Sequence, residues 1–249
     1  MQMRILNANE IKIIAAVLMF IDHIGFMWGI VPLSCVGRLS MPLFAFMIAE
    51  GCRYTKNKFL HFSMIFALGV ICQTVYFFFA PQFYYLSILI TFSISILLIY
   101  ALQYFKQTLF SKETKLLEKI AAGLSFAAAV ALVFALNQVE DVNGYFFYID
   151  YGFWGCMLPV FAALFDFRGF ALPKKYQWLD SFYLKFASFA IGVLCLCIFS
   201  IEPLEWFAVL ALLILFLYNG QKGKRNLKYF FYIFYPAHLV VLEAVYMFF

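Results

Sequence analysis

Nine long apolar runs joined by mostly short connections leave this chain few ways to fold. They cover residues 10–31, 39–52, 59–80, 84–105, 116–137, 147–167, 183–201, 203–219 and 228–248. A helix needs about 20 apolar residues to cross the hydrocarbon core of a bilayer. Helices and closed barrels alone satisfy their backbone hydrogen bonds there. In most of these runs apolar side chains lie all around the helix, as lipid contact requires. Hydrophobic residues make up 66% of the 249 and charged residues 12%, against about a quarter charged in an average soluble domain. A soluble globule of this composition would expose large sticky patches. The sequence therefore predicts an all-α, polytopic transmembrane bundle of about nine helices, a single domain over 1–249. The short second and eighth runs predict tilted or partly re-entrant helices.

The basic residues set the expected orientation. With the N-terminus in the cytoplasm, the connections 53–58, 106–115, 168–182 and 220–227 lie inside. With their flanks and the N-terminal segment, they hold 17 of the 18 Lys and Arg, Arg4, Arg168 and Lys228 among them. Only Arg38 falls outside. Such a bias orients membrane proteins, and one helix more or fewer would erase it. The net charge of +5 thus follows topology and does not form a stripe for nucleic acid. The outer connections and their flanks carry Glu140, Asp141, Asp150 and Glu202. The first run contains Asp22 and His23 and lacks a following small-residue cleavage site, so it reads as a retained helix. The six cysteines show no metal-ligand spacing and read as small apolar packing residues, with no metal expected.

An ionisable group inside a bilayer costs on the order of a few kcal/mol, so each one needs a reason. Asp22 and His23 point about 100° apart on one helix, so both can face one polar cavity without stacking. In one reading His23 is a general base or acyl carrier that Asp22 orients. In the other, Asp22 pairs with Arg38 to lock the first two helices, and His23 is a hydrogen-bonded core residue. Arg38 breaks the charge rule, which marks it for function; snorkelling to the outer headgroups is the plainer account. Glu50 and Arg53 close the second run as an i,i+3 pair, for which a salt bridge is the simple reading. Arg53, Lys56 and Lys58 together are candidates to receive the phosphates of a cytoplasmic nucleotide cofactor, although the inside bias explains the same charges.

Tyr235 and His238 share a face of the last run beside Pro236. His238 lies roughly 15 Å deep by helical rise, and His23 at a similar level. Asp150, Tyr151 and Gly152 open the sixth run on the outer side. Asp150 reads either as a helix N-cap or as the holder of a cationic substrate amine. Gln73 and Asn137 are weaker polar candidates, and His61 reads as interfacial. No GxSxG, Walker A, HExxH or dinucleotide fingerprint is present, which argues against the commonest soluble chemistries.

Four blocks carry a resemblance: KIIAAVLMFIDHIG, GRLSMPLFAFMIAEGCRYTKN, DYGFWG and FYPAHLVVL, in this order over nearly the whole chain. They resemble the TraX family, membrane proteins that acetylate conjugative F-type pilin, with relatives of unassigned substrate. The resemblance implies acetyl transfer from acetyl-CoA, in a bacterial inner membrane, to an acceptor amine such as a pilin N-terminus. It implies His23 and Asp22 at the reacting centre, completed by Arg38 and His238. Substrate contacts would come from Asp150, Tyr151, Glu50 and Tyr235. Two other expectations compete: acetylation of a hydroxyl on an envelope glycan or lipid-linked sugar, and a transporter using Asp22, His23 and Arg38 as a relay. The inverted repeats and paired broken helices of a transporter are not found in the sequence.

Overall fold

A computed structural model describes residues 5–79, 84–139, 141–142, 145–167, 172–225 and 227–248. Arg4, Glu140 and Arg168 of the charge pattern, and the connection 81–83, lie outside the described residues. The helices are α1 (Ala8–Met27), α2 (Val31–Gly37), α3 (Ser40–Tyr54), α4 (Lys58–Phe79), α5 (Ile88–Phe110), α6 (Leu116–Leu136), α7 (Gly152–Leu164), α8 (Phe182–Phe199), α9 (Ala211–Phe216) and α10 (Lys228–Phe248). Short 3-10 helices occupy Lys174–Leu179 and Pro203–Leu210. Among the described residues six helices are long and apolar enough to cross a membrane, α2 and α3 counting as one span, Val31–Tyr54. Gly152–Leu164 and Pro203–Phe216 are shorter apolar helices. The chain is an all-α polytopic membrane bundle, and each of the nine predicted runs coincides with helix over most of its length.

Three boundaries differ from the sequence reading. The first run stops at Met27, because Gly29 turns the chain at φ +67 before α2 begins. The runs at 84–105 and 147–167 open as strands: β1 (Tyr84–Leu86) and β3 (Tyr145–Ile149) pair in parallel, and β2 (Asp141–Val142) pairs antiparallel with β3. Hydropathy is blind to this small sheet, because its strands come from two connections some sixty residues apart in the register Tyr85↔Tyr148. Gln73 serves the same structure. Its Nε2 donates to the Tyr85 carbonyl at 2.6 Å, and the Ser87 N–H donates to its Oε1 at 2.9 Å.

Local chemistry fixes the ends that matter. Asn7 and Glu10 form a capping box that starts α1: the Asn7 N–H donates to Glu10 at 2.8 Å, and the Asn9 and Glu10 N–H groups donate to Asn7 Oδ1. Gly37 lets α2 lie directly against α1. A Cβ at Gly37 would stand 2.5 Å from the Asp22 Cα, so the bare backbone is required there. α3 is central, packed on α1, α5, α7 and α9, and most of its residues are buried. Small hydroxyls glue α5 to the start of α7: Thr91 donates to the Asp150 carbonyl at 2.9 Å and Ser95 to that of Cys156 at 2.8 Å. α6 lies at the periphery and exposes Leu116, Leu117, Leu124 and Leu132, the surface lipid would cover.

Helix ends group as an alternating topology demands. At one end Tyr54 donates to the Gly220 carbonyl, Arg53 meets Asp166, and Lys106 Nζ donates to the Ala163 carbonyl. At the other, Trp28 packs on Tyr246, and Arg38 meets Tyr151 and Glu205. We call these the inner and outer ends.

Candidate active site

The outer end gathers charge around Arg38. Its Nε lies 3.9 Å from Asp22 Oδ1, its Nη1 3.9 Å from Glu205 Oε2, and Nη1 donates weakly to the Tyr151 hydroxyl at 3.5 Å. The two ion pairs exceed hydrogen-bond length. Asp22 Oδ1, Arg38 Nε and Glu205 Oε1 are buried without a hydrogen-bond partner among the described residues. A cavity of about 650 Å³ adjoins Arg38 and Glu205, and Asp150, Tyr151 and Trp154 also line it. The sequence pairing of Asp22 with Arg38 is thus present, but loose.

Asp150 is not the N-cap of α7; that position belongs to Tyr151, with φ 57, and no side chain caps it. The sheet causes the difference. The Asp150 N–H donates to the Leu86 carbonyl and its own carbonyl accepts from Thr91, so the backbone turns one residue later. Asp150 lines the cavity, its carboxyl hydrogen-bonded to Tyr85. Asn137 lies there too, beside Gly152.

One level inward, the two membrane histidines meet. The rings of His23 on α1 and His238 on α10 pack edge to face with centroids 5.0 Å apart. Each Nδ1 faces the carbonyl one helical turn earlier, His23 that of Met19 at 2.8 Å and His238 that of Phe234 at 2.9 Å. A carbonyl only accepts, so each Nδ1 carries a proton, and in a neutral ring Nε2 then keeps its lone pair. His238 Nε2 is buried and has no hydrogen-bond partner among the described residues. Equal depth, read from helical rise, thus corresponds to direct contact of the chain's first and last helices. Tyr235 is buried one turn below, its ring 6.3 Å from His238 and 5.4 Å from Phe44.

Tyr235 and Phe44 also close the deep end of a cleft of about 610 Å³ that rises from the inner end between α1, α3, α4 and α10. Its lining includes Lys12, Lys222, Asn9, Asn57 and His61 towards the inner end. His61 Nδ1 shares a hydrogen bond with the Tyr100 hydroxyl at 3.0 Å. Neither histidine of the pair lines either cavity. Side-chain contacts nonetheless lead from the cleft through Tyr235, His238, His23 with its neighbour Asp22, and Arg38 to the outer cavity.

The basic residues expected to hold phosphates sit elsewhere. Arg53 contacts Glu50 at 3.4 Å and Asp166 at 3.3 Å, Lys58 lies over the Tyr100 ring, and Lys56 is exposed on the loop beside the cleft. The cationic lining is Lys12 and Lys222. Glu50 lines the cleft as well, but its carboxylate is fully engaged by Lys185, Arg53 and the Tyr218 hydroxyl, the last at 2.9 Å.

Sequence reasoning missed Glu205 and the partners of Glu50. Glu205 was hidden at the start of a run read for hydropathy alone, although any carboxylate in such a run is a signal. Lys185 was read only as part of the basic bias.

Residues 7–246 match the family model described as "TraX protein". Among curated proteins, the chain is 28% identical to "Probable fimbrial assembly protein FimC, serogroup H1" of Dichelobacter nodosus over 263 aligned residues, covering 97% of this chain and 96% of that protein. No solved structure matches the chain.

Proposed function

The chain belongs to the TraX family, and from that membership we propose that it is an inner-membrane acetyltransferase taking acetyl groups from cytoplasmic acetyl-CoA to an acceptor on the outer side, a pilin N-terminus first among candidates. A relative named as a fimbrial assembly protein supports a pilus-related acceptor. With the N-terminus in the cytoplasm, the cleft opens towards acetyl-CoA and the outer cavity towards the acceptor.

The observation that carries this reading is the histidine pair between two cavities of different chemistry. Lys12 and Lys222 at the cleft suit phosphates. The apolar depth under Phe44 and Tyr235 suits a pantetheine arm. Nε2 of His23 or His238 is the lone pair that takes a proton from the acceptor as its nitrogen or oxygen attacks the thioester carbonyl. The C–S bond then breaks, and the sulfur leaves as thiolate and takes a proton. In the covalent variant Nε2 attacks first and the acetyl group rests on the imidazole. In this reading Arg38 steadies negative charge on the carbonyl oxygen. Asp150 and Tyr151 contact the acceptor, and Tyr235 supports His238. Glu50, with Arg53, holds the inner end together.

The test is release of free CoA thiol from acetyl-CoA by detergent-purified protein given a peptide with a free N-terminus. Wild type should release thiol and acetylate the peptide; His23→Ala should do neither. Equal release by both proteins would remove His23 from the chemistry. Release with a glycan hydroxyl but not with the peptide would move the acceptor to the envelope.

A further inference from the structure

Resting on the acyl-transfer reading, we infer that Phe44 and Tyr235 form an aromatic gate that passes an acetyl group to the histidine pair and refuses longer acyl groups. The inner cleft follows α10 from Leu227 to Tyr235, roughly 12 Å by helical rise. Its far part is Phe44, Leu68, Leu89, Phe92 and Tyr235, each at most 8% exposed. There the rings of Phe44 and Tyr235 meet across the cleft, with centroids 5.4 Å apart and planes tilted by 56°. That spacing is ring contact and leaves no passage for a thioester. An acyl group bound for His238, one turn further along α10, must push the rings apart.

Two features let the rings part. α10 packs chiefly on α4 and α1, so separating Tyr235 from Phe44 of α3 breaks no main helix seam. Pro236, next to Tyr235, removes one backbone hydrogen bond from α10 at this level. The limit on length comes from what lies behind. The His23 ring packs edge to face on His238 at 5.0 Å, Phe234 stacks on His238 at 5.1 Å, and neither histidine lines the cleft or the outer cavity. The acyl group therefore gains only the room that the displaced rings give up. An acetyl methyl asks little of a close-packed interior; each further methylene asks for another displacement. Met47 and Met64, one turn nearer the inner end, have side chains that adapt to a guest, so the aromatic pair is the part of the cleft that discriminates.

The experiment compares acetyl-, propionyl-, butyryl- and hexanoyl-CoA as donors for the full chain in detergent, with thiol release as the readout and the free-N-terminus peptide or a glycan hydroxyl as acceptor. Wild type should prefer acetyl-CoA to butyryl-CoA by at least about 100-fold in kcat/KM, about tenfold or more for each added methylene. Phe44→Ala should bring that ratio within about tenfold. Phe44→Leu, the milder change should the alanine variant not fold, should move it the same way. Tyr235→Phe keeps the ring and should keep the ratio. A merely structural role for Phe44 would slow all four donors alike and leave the ratio where it was. Wild type releasing thiol from acetyl- and butyryl-CoA at equal rates would overturn the gate and leave acyl transfer standing. So would an undiminished preference in both Phe44 variants. Release from none of the four donors with either acceptor would remove acyl transfer, and the gate with it.

Discussion

Both ends of the bundle set a part-buried arginine among carboxylates, and the carboxylates fare differently. At the inner end Glu50 is saturated: Lys185 and Arg53 donate to Oε1 and Tyr218 to Oε2. Asp166 adds contacts to Arg53 at 3.3 Å and Lys185 at 3.6 Å, and Lys106 donates to the Asp166 carbonyl at 3.0 Å. At the outer end the ion pairs of Arg38 stretch to 3.9 Å, and Asp22, Arg38 and Glu205 each keep an atom without a hydrogen bond. Cations outnumber carboxylates inside, and carboxylates outnumber cations outside. A network that satisfies its carboxylates ties helices together, although Arg53 Nε, 3.3 Å from Asp166, also lacks a hydrogen bond among the described residues. One that leaves members wanting has capacity for further partners. In the function proposed above, the difference separates a clamp from a binding site.

The strongest way to break that contrast is to remove one partner from each end. Lys185→Met leaves Glu50 without its closest cation in a dry setting and should cost about 3–5 kcal/mol. Reversible unfolding in detergent would measure it, and Glu50→Gln added to Lys185→Met should recover much of the loss. Glu205→Gln at the outer end should stay within about 1 kcal/mol of wild type, because a distant ion pair is worth little. Equal destabilisation at the two ends would abolish the distinction.

Next in size is the histidine pair. His23→Ala and His238→Ala should each slow thiol release by about 10²-fold or more, the usual effect of a lost acid–base group. If the two act as one unit, the double variant should be no slower than the worse single one. Multiplying effects would assign the rings to separate steps.

How much of this was legible in the sequence follows the same divide. Lipid as solvent imposes long apolar runs, so the helices were readable from hydropathy. The Glu50–Arg53 pair and the shared depth of His23 and His238 were readable because helical geometry is local. The β1–β3 pairing was not, and with it went the backbone role of Asp150, since a strand partner sixty residues away leaves no periodic trace. Glu205 and Lys185 needed the tertiary structure for another reason. Each sits near a helix end, where one charge is ordinary, and only packing turns it inward.

A smaller effect probes how α1 and α2 hold the outer cluster. Gly37→Ala places a methyl 2.5 Å from the Asp22 Cα, backbone that cannot swing aside. The helices must part, at about 1–3 kcal/mol. Thiol release should fall more than stability does, because Asp22 moves away from Arg38. Stability lost with activity intact would show that the Asp22–Arg38 contact matters only for packing.

The smallest effect lies at the cleft. Lys12 is half-buried and Lys222 exposed, so each meets a phosphate partly through water. Lys12→Ala and Lys222→Ala should each weaken acetyl-CoA binding by only a few-fold, about 1 kcal/mol or less, and less again at high salt. Arg53 and Lys58 are occupied by Asp166 and Tyr100, so Lys58→Ala should leave that affinity unchanged. A larger loss in Lys58→Ala than in Lys12→Ala would move the phosphates out of the cleft. The route from cleft to Tyr235 and the histidines would then lose its entrance.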